Sequence, residues 1–262
     1  MMNNSFQIFN ELHKSPEPLL IGNVWDVPSA RAFEAAGYKA IATSSAAVAE
    51  TLGYQDGEQM PFEAYLFMIG HIAKATSLPF SVDLEAGYGK TAADIVAHII
   101  ALYELGVCGI NIEDSVVVSE NRTITDTDMF ARKIRAVISG LSEKGIEMFI
   151  NLRSDVFLLK LPGGLTEAQK RIERYQQTGA HGLFFPGVTK IDEIAALTKM
   201  SALPVNVMAM PGLPDFTALQ KAGVKRISMG PFIHKHLHTE LGKCIAMVNT
   251  GNSFQHIWET LP

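Results

Sequence analysis

The sequence predicts an α/β protein folded as a single-domain (β/α)8 TIM barrel, and three observations carry that reading. Short runs rich in Val, Ile and Phe alternate with longer stretches of helical period along the chain. Eight such strand–helix units can be counted, and 262 residues suit a fold that typically takes about 250. The alternation implies parallel strands with right-handed crossovers. An open dinucleotide-binding sheet is disfavoured because no G-x-G-x-x-G turn follows the first strand.

In chain order, residues 1–15 read as a short amphipathic helix ahead of the barrel, with Phe6, Phe9 and Leu12 along one face. The first strand, 19–26, leads into a helix over 28–36, where Pro28 suits the first turn and Gly37 the stop. The second strand, 40–45, is followed by a loop and a helix over 62–76. The third, 80–85, passes through Gly87 and Gly89 into a helix over 91–105. A polar loop separates the fourth strand, 109–114, from a helix over 126–144. Strands at 148–155, 182–186 and 204–208 precede helices over 166–178, 191–200 and 215–221. The eighth, 226–229, runs into a helical tail over 232–262. Gly37, Gly106, Gly179 and Gly223 each stand between a helix and the next strand, where glycine accepts the left-handed conformation that ends a helix. No linker divides residues 1–262, so one domain is expected.

Composition narrows the function. With 47% apolar residues the chain can bury a large core, which excludes wholesale disorder. A net charge of −5 without any Lys/Arg block argues against a nucleic-acid or anionic-membrane partner. Two cysteines make no disulfide framework, the N-terminus has no secretory pattern, and every apolar stretch breaks well before about 18 residues. A cytoplasmic protein is expected.

Barrel enzymes keep their chemistry where the strands end, and here polar residues gather at those ends. Asp83 and Glu85 are two apart, so they share one side of the third strand; Asn111 and Glu113 repeat the pattern on the fourth, and Asn151 and Arg153 on the fifth. Bare carboxylates at one mouth repel one another and would take up protons. A hard divalent cation resolves this, and an all-oxygen set without nearby Cys or His suits Mg²⁺, or Mn²⁺ in its place. Arg153 then offers a planar fork for a substrate carboxylate. Ser44 and Ser45, followed by small alanines, supply donors and close backbone approach at the end of the second strand. A strand-end acid can also simply cap the next helix, and Asp114 and Asp155 are read that way. His234 and His238 share a helix face without further ligands, so no metal site is expected there.

These segments resemble the isocitrate lyase/phosphoenolpyruvate mutase superfamily. The similarity runs from Asn23-Val-Trp-Asp26 and Thr43-Ser-Ser45 through Asp56-Gly57, Asp83-Leu-Glu-Ala-Gly-Tyr-Gly89, Gly109-Ile-Asn-Ile-Glu-Asp114 and Asn151-Leu-Arg-Ser-Asp155 to Arg226-Ile-Ser-Met-Gly-Pro231. The resemblance implies that Asp83 holds Mg²⁺ directly, that Asp56, Glu85 and Glu113 hold waters on the metal, and that Ser44, Ser45 and Arg153 bind a small carboxylic acid. It also implies a homo-oligomer, tetramer or dimer, whose last helix packs on a neighbouring subunit. Carbon–carbon lyases of the superfamily carry a K-K-C-G-H type loop after the fourth strand, and residues 115–126 here contain no cysteine. The phosphonomutase-type Lys followed by Asn-Ser is absent too.

The expected function is a Mg²⁺-dependent lyase acting on a small 2-oxo or 2-hydroxy acid through a metal-bound enolate, by C–C cleavage or decarboxylation. Arg153, Glu113 and Glu120 are the catalytic candidates, with Arg122 an alternative to Glu120. The other readings are phosphoenolpyruvate or carboxyphosphonoenolpyruvate phosphonomutase, phosphonopyruvate hydrolase, or a metal-dependent 2-oxo acid binder without turnover.

Overall fold

The computed structural model describes residues 4–118 and 121–259. The first barrel strand comes in two pieces, β1 (Leu19–Leu20) and β2 (Gly22–Val24). It is followed by β3 (Ile41–Thr43), β4 (Phe80–Asp83) and β5 (Gly109–Glu113). A separate antiparallel pair, β6 (Ser115–Val118) and β7 (Asn121–Ile124), interrupts the series. The barrel resumes with β8 (Phe149–Arg153), β9 (Gly182–Phe185), β10 (Val205–Met208) and β11 (Arg226–Ser228). β1 pairs with β11 and β2 with β3, all parallel, so the two halves of one strand join the two ends of the sheet. That shared strand closes the barrel.

Eleven helices are described: α1 (Ser5–Leu12), α2 (Val27–Ala35), α3 (Ser45–Thr51), α4 (Phe62–Ala73), α5 (Ala92–Glu104), α6 (Thr127–Glu143), α7 (Gly164–Tyr175), α8 (Ile191–Met200), α9 (Phe216–Lys221), α10 (Phe232–Gly251) and α11 (Gln255–Trp258). Polar side chains fix where several begin. Asp26 and Ser29 form a reciprocal cap at α2, Thr91 and Asp94 do so at α5, and Asp126 accepts from Met129 N at α6. The four expected helix stops hold: Gly37, Gly106, Gly179 and Gly223 all have φ between 80° and 91°. No helix among the described residues is long and apolar enough to cross a membrane.

The core has two parts. The larger lies between barrel and helices, where outward residues such as Val82, Ile110, Ile112 and Leu152 meet Ile95, Ile99, Ile134 and Ile172. The smaller seals the barrel floor: Phe9 of α1 packs with Leu19, Ile21, Ala42 and Phe149, none more than 5% exposed. Phe6 and Leu12 lie against the same cluster, as their spacing predicts.

Two segments expected as loops are ordered. Residues 45–51 form α3, because Ser44 caps a run of helix-favouring alanines. The β6–β7 hairpin replaces the polar loop, built on the β-branched run Val116-Val-Val118.

Candidate active site

Asp83 ends β4 at the barrel mouth, held from both sides. Its N–H donates to Thr43 Oγ1 (2.9 Å), and Tyr65 Oη donates to its carbonyl (3.0 Å) while pairing with Thr43 Oγ1 (2.6 Å). Ser45 Oγ donates to Asp83 Oδ2 at 2.8 Å, and Arg153 Nη1 stands 3.7 Å from the same oxygen. The other oxygen, Oδ1, is buried without a hydrogen-bond partner. Burial raises the Asp83 pKa above its ordinary value, with the Arg153 charge opposing the rise.

Arg153, at the end of β8, binds this side of the mouth together. Nε donates to Asp155 Oδ1 (2.7 Å), Nη2 to Asp155 Oδ2 (3.2 Å), and Nη1 pairs with Glu113 Oε2 (2.8 Å). Glu113 is held well above the usual carboxylate range, chiefly by burial. A second guanidinium arrives from the hairpin: Arg122 reaches Glu113 Oε1, Asp155 Oδ2 (3.3 Å) and Asp56 Oδ2 (3.0 Å). Asp155 therefore caps no helix. It is fully buried and shared by two arginines and Ser115 Oγ (2.5 Å), which corrects its reading as a cap. Asp114 is structural, joining Arg171 and Tyr175 of α7 to the Asp155 N–H.

Glu85 follows β4 with φ 50°, a left-handed backbone that turns its side chain across the mouth. It accepts from Glu58 N (2.7 Å) and Tyr88 Oη (2.7 Å). Burial first, and then the Asp56 charge, push it up to about 7.

Two neighbouring cavities open here. The first, about 230 Å³, is lined by Ser44, Ser45, Ala46, Asp56, Asp83, Asn111 and Arg153 on one side; Leu158, Phe184, Met208 and Met210 form an apolar wall opposite. The second, about 200 Å³, is lined by Glu85, Glu113, Glu58 and Val117. Of the expected residues, Asp56, Asp83, Arg153, Ser44 and Ser45 thus share one cavity, and Glu85 and Glu113 stand at the next. Glu113 stays coupled to the first through Arg153. Glu120 lies outside the described residues. The Ser44 hydroxyl accepts from Ala47 N and that of Ser45 is used on Asp83, so both are engaged within the protein. Within the first turn of α3 the Ala47 and Val48 N–H groups are taken by Ser44, which leaves those of Ser45 and Ala46 without intrahelical acceptors at the cavity.

Five carboxylates (Asp56, Asp83, Glu85, Glu113 and Asp155) therefore gather around two guanidiniums, and burial raises the pKa of Asp83, Glu85 and Glu113 among them, so a cation that favoured their ionised forms would be bound by the cluster. Among the described residues no three His, Cys, Asp or Glu side chains form a ready-made ligand set. The unpartnered Asp83 Oδ1 beside other acids fits an ion that takes one carboxylate directly and completes its shell with water, as Mg²⁺ does. Tyr65 and Glu58 had no legible signal, because folding alone brings them to β4, whereas Tyr88 stands in the same short motif as Asp83 and Glu85. Asp155 also had a signal, since it stands two residues beyond Arg153, just past the end of the strand.

The family model described as phosphoenolpyruvate phosphomutase matches residues 9–249. An uncharacterized protein of Mycobacterium tuberculosis is 35% identical over 222 residues, covering 85% of this chain and 81% of that protein. The 2-methylisocitrate lyase of Escherichia coli is 27% identical over 207 residues, 77% of this chain and 67% of the lyase. Among solved structures, one from Burkholderia cenocepacia described as a candidate phosphonomutase superposes with a TM-score of 0.87 at 38% identity, covering 93% of this chain and 100% of that one.

Proposed function

The chain belongs to the isocitrate lyase/phosphoenolpyruvate mutase superfamily, and from that membership we propose that it is a magnesium-dependent lyase that breaks a carbon–carbon bond beside the 2-oxo or 2-hydroxy group of a small carboxylic acid. The superfamily holds magnesium-dependent lyases and mutases, among them methylisocitrate lyase, oxaloacetate decarboxylase, phosphonomutase and phosphonopyruvate hydrolase. The observation that carries the narrower reading is Asp83, with one buried unpartnered oxygen, set beside Arg153 on the cavity wall.

Asp83 would hold the ion and Asp56, Glu85 and Glu113 its waters; the bound ion would stabilise negative charge developing on the substrate oxygen. Arg153, fixed by Asp155, orients the substrate carboxylate, and the start of α3 offers N–H donors to the same group. The apolar wall opposite excludes water from the bond that breaks. Of the acid–base candidates Glu120 and Arg122, Arg122 would stay a cation, because Glu113, Asp155 and Asp56 hold its proton, so it would steady negative charge near Glu113 and leave proton transfer to Glu120. A phosphonate dianion in transfer calls for several cations, yet among the described residues only Arg153 and Lys235 line the cavity as cations. This favours a lyase over a mutase.

Incubation with Mg²⁺ and oxaloacetate, dimethylmalate, methylisocitrate or phosphonopyruvate tests the proposal. Pyruvate from one of the first three, with CO2 from oxaloacetate or a second carboxylic acid from the malates, is the expected result. Phosphate release from phosphonopyruvate alone would replace the lyase with the hydrolase, and calorimetric binding without turnover would leave a binder.

The proposal includes a homo-oligomer in the cytoplasm. Ile233, Leu237, Leu241 and Ile245 recur every four residues on α10, each 41–55% exposed, which makes one unpartnered apolar stripe. Light scattering is expected to give two or four times the monomer mass. Leu237→Glu combined with Ile245→Glu should return the monomer, and an unchanged mass would remove α10 from the interface.

A further inference from the structure

Arg226 enters the barrel interior one layer beneath the mouth. Met208 and Ser228 line the cavity; Asn206 and Arg226 precede them by two residues, hence on the same strand face, and stand opposite each other in register. Ser81 precedes Asp83 in the same way. Phe9 closes this level from below, its ring centre 5.9 Å from the guanidinium carbon. Phe9 and Ser81 both border Gly109, where an added Cβ would meet Phe9 Cε1 at 2.8 Å and Ser81 Oγ at 3.2 Å.

Arg226 is 1% exposed, and Nε, Nη1 and Nη2 all lack hydrogen-bond partners. Asn206 Nδ2 and Ser81 Oγ, both buried, lack them as well. No carboxylate among the described residues forms an ion pair with Arg226; Asp83 acts on it only from a distance. Burial lowers its pKa to about 10, which leaves it a cation at neutral pH. An unpaired buried charge burdens the fold, and water could satisfy its N–H groups without discharging it. The guanidinium and the Asn206 amide nitrogen can only donate, and the Ser81 hydroxyl can donate with them. His13 Nε2, also buried and unpartnered, is an acceptor near Arg226, but burial keeps that imidazole neutral, so it cannot discharge the cation; a small ligand that only accepts and carries one negative charge would.

We propose that the barrel interior holds a monovalent anion of halide size between Arg226, Asn206 Nδ2 and Ser81 Oγ. The site is separate from the mouth and does not depend on the reaction catalysed there. Because the floor is sealed, the protein should be purified and crystallised in bromide throughout rather than briefly soaked. An anomalous bromide peak at hydrogen-bond distance from the Arg226 guanidinium is expected. In solution, Tm should be roughly 2–4 °C higher in bromide or chloride than in gluconate of equal ionic strength. Ser81→Ala should reduce that shift and R226M abolish it. A guanidinium met by ordered waters alone, with no anomalous peak, overturns the proposal, as does an equal halide shift in R226M.

Discussion

Asp83→Asn is expected to abolish magnesium binding and to lower turnover by at least about 10³-fold, equivalent to roughly 4 kcal/mol of barrier. The amide keeps the size of the side chain and can keep the hydrogen bond from Ser45, but it removes the charge from the buried Oδ1 that has no other partner. Stability moves differently. The folded-state pKa of Asp83 is raised, so its ionised form is a burden to the fold above the ordinary carboxylate pKa. Tm of the metal-free variant should therefore stay level or rise. Titration calorimetry with Mg²⁺ and the product assay together decide: a variant that still binds and still turns over removes Asp83 from the metal site.

Arg153→Met should instead lower Tm by roughly 6–20 °C. The arginine contacts Asp155 and Glu113, which are 0% and 2% exposed, and removing one partner of a buried pair costs about 3–5 kcal/mol; each kcal/mol is worth roughly 2–4 °C at this size. Arg122 touches the same two acids and softens the loss. The deficit also has a pH sign. Glu113 already has a raised pKa, and losing Arg153 raises it further, so its charge weighs on the fold increasingly as pH climbs above the ordinary carboxylate value. Scanning fluorimetry should show a larger deficit at pH 8 than at pH 5.5, with Arg153→Lys in between because an ammonium cannot reproduce the fork. A variant as stable as the parent at both values would show that Arg122 alone neutralises the acids.

The barrel was legible because its cues are local: a strand period of two, a helical period near four, and glycine where each helix must stop. The same period places Asp83, Glu113 and Arg153 at strand ends, with Glu85 two residues past the end of its strand. It could not show that Glu85 and Glu113 stand at a second cavity, since the left-handed turn at Glu85 is set by its contacts with Glu58 and Tyr88. Arg122 was harder still. Its reach depends on a hairpin whose register sets Val117 opposite it, and pairing across a turn leaves little periodic trace. The Ser44–Ala49 helix, by contrast, was written in its alanines and was missed because a loop usually follows a barrel strand.

The plug that α1 drives into the barrel floor has a consequence for traffic. With Phe9, Phe149 and Ile21 shut from solvent, the described residues leave no passage through the floor. A guest admitted at the mouth would therefore have to back out on the mouth side, so departure of one would gate admission of the next.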